Sequence, residues 1–105
     1  MSIILGILEE EGQRLKEAIE LFRDKVKDLP RGSLWFKKRN GRKYVYLAYR
    51  EKGKVKFRYI APVPSEKYES IALQVKKRKD YEERISNMKK DMSVIKRALK
   101  YAGAE

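Results

Sequence analysis

Two short breaks divide the middle of the chain into segments in which apolar and polar side chains alternate. Residues 33–61 are rich in aromatic and β-branched residues, and the breaks within them are Asn40-Gly41 and Glu51-Lys52-Gly53. A period of two between turn residues is typical of β-strands joined by hairpins. Asn-Gly indicates a two-residue type I′ turn, since both positions of that turn need a positive φ. The middle of the chain is therefore predicted to be a three-stranded antiparallel β-meander.

The segments before and after the meander have helical periodicity. Apolar residues from 2 to 29 fall on a heptad seam that Pro30 ends, and residues 65–101 contain no glycine or proline. Ser65 is suited to the N-cap of the second segment. We therefore predict an α+β fold with a long N-terminal helix over 2–29, the meander over 33–61 and a long C-terminal helix over 65–101.

One domain spanning residues 1–105 is expected, because a chain of this length has surface for only one modest core. The two helices could form a helical hairpin or a coiled coil, with the sheet at one end. Their apolar seams could pair within the chain or across a dimer, and a homodimer through the seams is the expected assembly.

The positive charge of the chain is concentrated in the meander. The whole chain carries a formal net charge of +12. Residues 33–61 contain ten lysines or arginines and one acid, a net +9, so the rest of the chain carries only +3. A charge excess confined to one segment indicates a surface for a polyanion, because a general solubility device would be spread evenly.

The chain contains no cysteine and no histidine. This excludes disulfides, thiolate metal sites and cysteine nucleophiles, together with the side chain that most often acts as a general base near neutral pH. Neither metal-ligand spacing nor a glycine-rich phosphate loop occurs, so we predict a protein that is not an enzyme and has no metal, cofactor or small-molecule substrate. The apolar start, residues 1–8, is short and lacks a basic leader, which predicts a cytoplasmic protein without a signal peptide or membrane partner.

The lengths of the two loops decide which strand residues share a face of the sheet. A two-residue loop at Asn40-Gly41 places Arg39 opposite Arg42. For the second loop we favour three residues with Gly53 in the left-handed position of a G1 bulge, because this register leaves fewer charges on the buried face. The face predicted to pack on the helices then contains Leu34, Phe36, Val45, Leu47, Tyr49, Val55, Phe57 and Tyr59.

The opposite face is basic and aromatic in this register, with Ala48 and Ile60 as its small or apolar members. Cations that face each other across strands repel, and phosphate oxygens between them would turn that repulsion into attraction with release of counterions. Aromatic rings beside them could contact sugars or bases, and arginine can pair with guanine in the major groove. The residues predicted to bind nucleic acid are Trp35, Lys37, Arg39, Arg42, Tyr44, Tyr46, Arg50, Lys54, Lys56 and Arg58.

A two-residue second loop, Lys52-Gly53, is the alternative register. It would move Val55, Phe57 and Tyr59 to the side of the sheet that carries Trp35, Tyr44 and Tyr46. The aromatic set would then be the core, and Lys56 and Arg58 would face outward beside Lys43. Any single aromatic or lysine also has a structural role, since aromatic pairs stabilise sheets and lysines prevent edge pairing. What favours a ligand is a face with seven cations and no acid.

Short motifs in the meander resemble a widespread but uncharacterised microbial domain family. In that family a G-S-L strand, a Y-x-Y-x-x-Y-R strand and a G-K-V to Y-I strand precede a charged helix. The corresponding residues are Arg31-Gly32-Ser33-Leu34, Tyr44 to Arg50, Gly53-Lys54-Val55-Lys56 and Tyr59-Ile60, with Ala61 where the family usually has glycine. The resemblance covers about residues 29–100. It implies the fold, but it implies no particular activity, because the family has none that is settled. The order of meander and helix also resembles the arm-site DNA-binding domains of tyrosine recombinases, whose sheets enter the major groove.

These observations predict a nucleic-acid-binding protein that contacts duplex DNA through the exposed face of its sheet. Two alternatives stay open. The first is a coiled-coil scaffold or oligomerisation protein that binds no nucleic acid. The second is a binder of RNA or single strands that uses Trp35, Tyr44 and Tyr46 as a stacking platform.

Overall fold

A computed structural model describes residues 2–103 of the chain. The elements follow in the order α1 (Ile3–Lys27), β1 (Ser33–Arg39), β2 (Arg42–Glu51), β3 (Lys54–Val63) and α2 (Glu66–Tyr101). The α+β class and the order of elements are thereby confirmed. The boundaries differ from the predicted ones by one or two residues, as where α1 ends at Lys27, because Pro30 keeps the preceding residues from helical geometry.

The contacts within the chain divide it into two units. The helical unit contains α1 and α2 from Asp80 onward, and the sheet unit contains the three strands and α2 up to Lys79. Within residues 2–103, neither helix contains an apolar stretch of the length and hydropathy that a membrane span requires.

In the helical unit, α1 and α2 lie antiparallel. Ile95 is so close to Gly12 that a methyl group on the glycine would lie 3.6 Å from Ile95 Cγ2, and the Phe22 ring stacks on Tyr81 with centroids 5.4 Å apart. The apolar seams therefore pair within the chain, whereas the homodimer stays a prediction. The seam residues that this pairing buries are Leu15, Ile19, Ile85 and Ile95.

In the sheet unit, the strand order is β1-β2-β3, so β2 is central. Its residues Val45 and Leu47 are 0% and 3% exposed, and the first half of α2 covers this face with buried Val75. The Phe36 ring contacts Tyr68 of α2 at 5.9 Å between centroids. The first half of α2 therefore packs on one face of the sheet and leaves the other face open.

The start of α2 is set by Ser65, as predicted. The Tyr68 backbone N–H donates to Ser65 Oγ at 3.1 Å, and the hydroxyl donates in turn to the Pro62 carbonyl at 2.6 Å. This satisfies one of the four backbone donors that a helix leaves free at its first turn. The peptide bond between Val63 and Pro64, just before the cap, is cis.

The register of the first hairpin is as predicted. Arg39 pairs with Arg42, Trp35 with Tyr46 and Leu34 with Leu47. The turn residues Asn40 and Gly41 have φ of 51° and 76°. Both are in the left-handed region that a type I′ turn requires, which explains why the sequence predicts this hairpin correctly.

The register favoured for the second hairpin is wrong. Its loop has two residues, because Glu51 pairs with Lys54 and leaves Lys52 and Gly53 between the strands. Their φ values of 51° and 79° repeat the geometry of the first turn. The predicted three-residue loop with a G1 bulge is therefore wrong. Lys52 adopts a left-handed conformation in which asparagine or glycine is usual.

A β-bulge follows farther along β3. Tyr46 pairs with Tyr59 and Val45 pairs with Ala61, so Ile60 is an extra residue opposite this step. The bulge shifts the alternation, which turns the small residue Ala61 onto the covered face, where it is buried. The charged residues of β3 come before the bulge and the buried residue comes after it.

The left-handed lysine leads to a prediction about stability. We expect Lys52→Asn to stabilise the protein by about 0.5–1 kcal/mol, because a β-carbon costs about 1–2 kcal/mol in this conformation and asparagine lowers that cost. Asn40→Lys in the first turn is the matched control, and it should destabilise by a similar amount. Both free energies of unfolding can be measured by urea titration. If Lys52→Asn does not raise the free energy of unfolding, the left-handed conformation of Lys52 does not destabilise the turn.

Candidate nucleic-acid interface

The face of the sheet that α2 does not cover carries a cluster of aromatic rings, here called the aromatic face. Directly opposed residues of antiparallel strands lie on the same side of the sheet, and the pairings place Trp35, Tyr46 and Tyr59 in one row across it. Neighbouring rows add two more rings to the same side. The aromatic face consists of Trp35, Tyr44, Tyr46, Phe57 and Tyr59.

The five rings contact one another in a continuous chain. Trp35 lies between Phe57 and Tyr46, with centroids 5.0 Å and 5.7 Å away. Tyr59 lies 5.4 Å from Tyr46 and 6.2 Å from Tyr44. These separations and the tilted or edge-on angles are those that aromatic pairs prefer, and each such pair stabilises by about 0.5–1.5 kcal/mol. The rings therefore hold one another in a fixed arrangement.

The aromatic face is open to solvent. Trp35 is 44% exposed, Tyr59 50% and Phe57 53%, whereas Val45 on the opposite side is fully buried. The expectation that a two-residue loop would turn the aromatic set into the core is therefore wrong as well. The core forms on the other side of the sheet, where α2 supplies Val75. Exposed apolar clusters of this kind mark interaction sites more often than isolated exposed rings do.

Four of the predicted basic residues lie on the same side as the aromatic face. The described residues that share this side include no aspartate or glutamate, and none of the four cations forms an ion pair with a described residue. Two of them, Arg39 and Arg42, face each other directly beside the first turn. The arrangement leaves a positive rim that no acid of residues 2–103 neutralises and that would attract an anion. The four cations are Lys37, Arg39, Arg42 and Arg50.

The other three predicted basic residues lie on the covered side. Lys54 is opposite Glu51, Lys56 is opposite Tyr49, and Arg58 is opposite Leu47. The cause is the shorter loop, since a change of one residue in register moves every side chain of β3 to the other face. All three stay exposed, because they lie on an edge strand and not on the central one. The Lys56 ammonium lies 3.9 Å from a Glu51 carboxylate oxygen.

The rim and the rings together form a shallow recess of about 220 Å³. It has two cations on one side and three tyrosine rings on the other, a combination that suits a phosphate next to a planar group. Its lining residues are Lys37, Arg39, Tyr44, Tyr46 and Tyr59. We call it the tyrosine recess.

No group of three or more aspartates or glutamates is placed to hold a metal ion within residues 2–103. The Arg14 guanidinium donates to the Glu11 carboxylate and lowers the pKa of Glu11 below its ordinary value, but both residues lie on α1. The chemistry available on the aromatic face is therefore stacking and charge attraction.

The favoured register leaves Phe57 and Tyr59 off this face, and only the alternative register places them beside Trp35, although it makes that side the core. The signal that could have found them is the dipeptide Lys52-Gly53, which has the same spacing between strands as Asn40-Gly41. The three-residue loop is favoured over this signal because the two-residue loop places three cations on the covered side. That side is buried over the middle of β2 and at Ala61 beyond the bulge, whereas the part of β3 near the loop is exposed, so its charges are not buried.

Comparison with known proteins identifies one family. A family model described as a domain of unknown function, DUF6788, matches residues 6–70. The match begins within α1, runs through the meander and ends in the first turns of α2, so it starts and stops earlier than the predicted resemblance over residues 29–100. No curated protein and no solved structure gives a significant match.

Proposed function

Because this chain belongs to the family DUF6788, which is described only as a domain of unknown function, we propose a function from the geometry of the sheet. The chain binds nucleic acid through the aromatic face, and it prefers single strands to duplex. The observation that carries the proposal is a continuous chain of five rings, three of them about half exposed, on the side of the sheet whose charges are all positive among the described residues.

The choice of single strands follows from what each form of nucleic acid exposes. In a duplex the faces of the bases are stacked on each other, and a protein meets phosphates and base edges. Unpaired bases can be splayed onto aromatic side chains, and each stacked base contributes about 1–3 kcal/mol. The observed register places Phe57 and Tyr59 on the aromatic face and removes Lys54, Lys56 and Arg58 from it. Both changes favour stacking over a dense array of phosphate contacts.

A purely structural role and a protein partner account for the aromatic face less well. Ring pairs do stabilise the sheet, but that role alone is served as well by rings next to neutral or mixed charges. A protein partner would also accept an exposed apolar cluster. The rim of cations without acids favours a polyanion over a typical protein surface, in which both signs occur. The likeness to recombinase arm-site domains, which would favour duplex DNA, stays an analogy of element order.

The proposal can be tested through Trp35, the one tryptophan of the chain, because it lies on the aromatic face. Bases that stack on it should quench its fluorescence. Titrations with a single-stranded DNA, a single-stranded RNA and a duplex of equal length, at two salt concentrations, should give the tightest binding for a single strand. Affinity for the single strands should fall with salt, with a slope near −0.7 per phosphate contact. Tighter binding of the duplex would favour the major-groove alternative, and no binding of any of the three would leave the scaffold alternative.

The rim of cations gives a prediction with a matched control. We expect Arg42→Glu to weaken binding of a single strand about tenfold or more, because it removes a phosphate contact and adds a repulsion. The new glutamate would face Arg39 and add a favourable cross-strand pair, so lost stability cannot explain lost binding.

The control for this variant is Lys38→Glu. Lys38 faces Lys43 in the same hairpin but on the covered side, so the substitution makes the same change in charge and the same kind of cross-strand pair. Its affinity should stay within about threefold of the unchanged protein at moderate salt, since screening weakens charges that do not touch the ligand. Equal losses for the two variants would mean that net charge, and not the aromatic side of the sheet, determines binding.

A further inference from the structure

Tyr59 takes part in two separate recesses of the sheet unit. The first is the tyrosine recess on the aromatic side. The second is a groove of about 290 Å³ between β3 and the first half of α2. Its lining residues are Arg58, Tyr59, Ile60, Lys67, Ser70, Ile71 and Gln74. We call it the edge groove, because β3 is an edge strand of the sheet.

The two recesses are joined by the β-bulge. Up to Tyr59 the residues of β3 alternate regularly, so Tyr59 lies on the aromatic side and Arg58 on the side of α2. The extra residue Ile60 interrupts the ladder at this point, and no further strand covers the outer edge of β3 among the described residues. The surface is therefore continuous from the tyrosine recess across the edge of the sheet to α2.

The edge groove differs from the aromatic face in its chemistry. Apart from Tyr59 it has no aromatic residue, and no acid is among the described residues that line it. Arg58 and Lys67 are exposed and contribute two positive charges. Gln74 Nε2 donates to Ser70 Oγ at 3.2 Å, which adds polar groups that can contact sugar or phosphate oxygens. A groove of this composition suits a nucleic-acid backbone and offers little to a base.

We propose that a single strand stacked on the aromatic face continues over the edge of β3 at Ile60 and places its phosphates against Arg58 and Lys67. This inference rests on the proposed function and adds the direction in which the strand leaves the sheet. The support is the shared residue Tyr59 and the charge of the groove. The observed register removes Arg58 from the aromatic face. In this arrangement Arg58 still contacts the ligand, but from the side of the sheet that faces α2.

The test uses two single-stranded oligonucleotides. One has about three nucleotides, the number of bases that an aromatic sheet surface stacks, and the other has about eight, enough to reach past it. Arg58→Glu with Lys67→Glu should weaken binding of the longer strand about tenfold or more and leave binding of the shorter one within about twofold. The salt slope for the longer strand should fall by about 1.4, which corresponds to two lost contacts. Trp35 fluorescence reports all the titrations.

The matched control is Lys38→Glu with Lys76→Glu. It changes one strand residue and one α2 residue of the sheet unit by the same charge, and neither residue lines the edge groove. Arg58→Gln with Lys67→Gln is a milder variant that should show the same dependence on length with a smaller loss. An equal loss for both strand lengths, or no loss for the longer one, would overturn the path over β3 while the aromatic face still binds. If the unchanged protein binds neither strand, the proposed function itself fails.

Discussion

Replacement of Gly32 by alanine should destabilise the sheet unit by about 3 kcal/mol or more, a large part of the stability of a small domain. Gly32 precedes β1 and has a φ of 115°, a conformation that residues with a side chain rarely adopt. A β-carbon there would lie 2.2 Å from the Ala48 carbonyl oxygen and 3.0 Å from its carbon. Both atoms belong to the backbone of the central strand, so they cannot rotate away as a flexible side chain would.

The control for this variant is Gly41→Ala in the first turn. Gly41 also has a positive φ, 76°, but a β-carbon there would have no atom within 4 Å. It should cost only the conformational strain, about 1 kcal/mol. Urea unfolding followed by Trp35 fluorescence reports the sheet unit, to which both glycines belong. Similar losses of unfolding free energy for the two variants would show that the backbone of β2 can move away from a β-carbon at position 32. The close approach of Gly32 to Ala48 would then not be required.

The helices and the first hairpin could be predicted from the sequence because local signals there agree with the tertiary structure. Pro30 ends the heptad pattern of the first helix, Ser65 is suited to the N-cap of the second helix, and Asn40-Gly41 has the dihedral preferences of its turn. In each case the residue is suited to a backbone conformation regardless of what packs against it. Such signals need no knowledge of the rest of the fold, and the structure confirms all three.

The second hairpin could not be predicted in the same way because local and tertiary preferences conflict there. Lysine is a poor residue for a left-handed turn position, and the two-residue loop sends Lys56 and Arg58 to the side that α2 covers. The structure accommodates both features. Lys52 adopts a φ of 51°, and the edge strand leaves the two cations exposed. A charged residue is tolerated on this side of the sheet only where α2 does not cover it. The sequence of the strand does not show how far α2 covers the sheet.

For the candidate interface, the first two strands were therefore assigned correctly and the third was not. Trp35, Tyr44 and Tyr46 lie where the alternation places them, because the register of the first hairpin is correct. The β-bulge at Ile60 was beyond prediction, since no local signal in β3 indicates an extra residue. For the proposed function, the consequence is a shift from a face of phosphate contacts toward a stacking surface.

That shift predicts that Trp35→Ala with Tyr59→Ala will weaken binding of a single strand about 30-fold or more. Each ring that stacks on a base contributes about 1–3 kcal/mol, so the loss of two corresponds to at least about 2 kcal/mol and as much as about 6. Because Trp35 is removed, the measurement uses the anisotropy of a fluorescently labelled oligonucleotide. Tyr101→Ala is the control, since this ring is 89% exposed on α2 and outside the sheet.

Loss of ring contacts within the sheet could also reduce binding by loosening the strands, and a conservative variant separates the two causes. Trp35→Phe with Tyr59→Phe keeps an aromatic surface at both positions, so binding should stay within about tenfold, as expected when a ring is made smaller but stacking is retained. The alanine variant should keep its helix signal and a measurable unfolding transition, because neither ring lies on the side that contains Val45 and Leu47. A folded alanine variant that binds as tightly as the unchanged protein would reject the aromatic face as the binding surface. Loss of binding in the phenylalanine variant as well would assign the interaction to polar groups of the two side chains, because stacking alone tolerates the exchange.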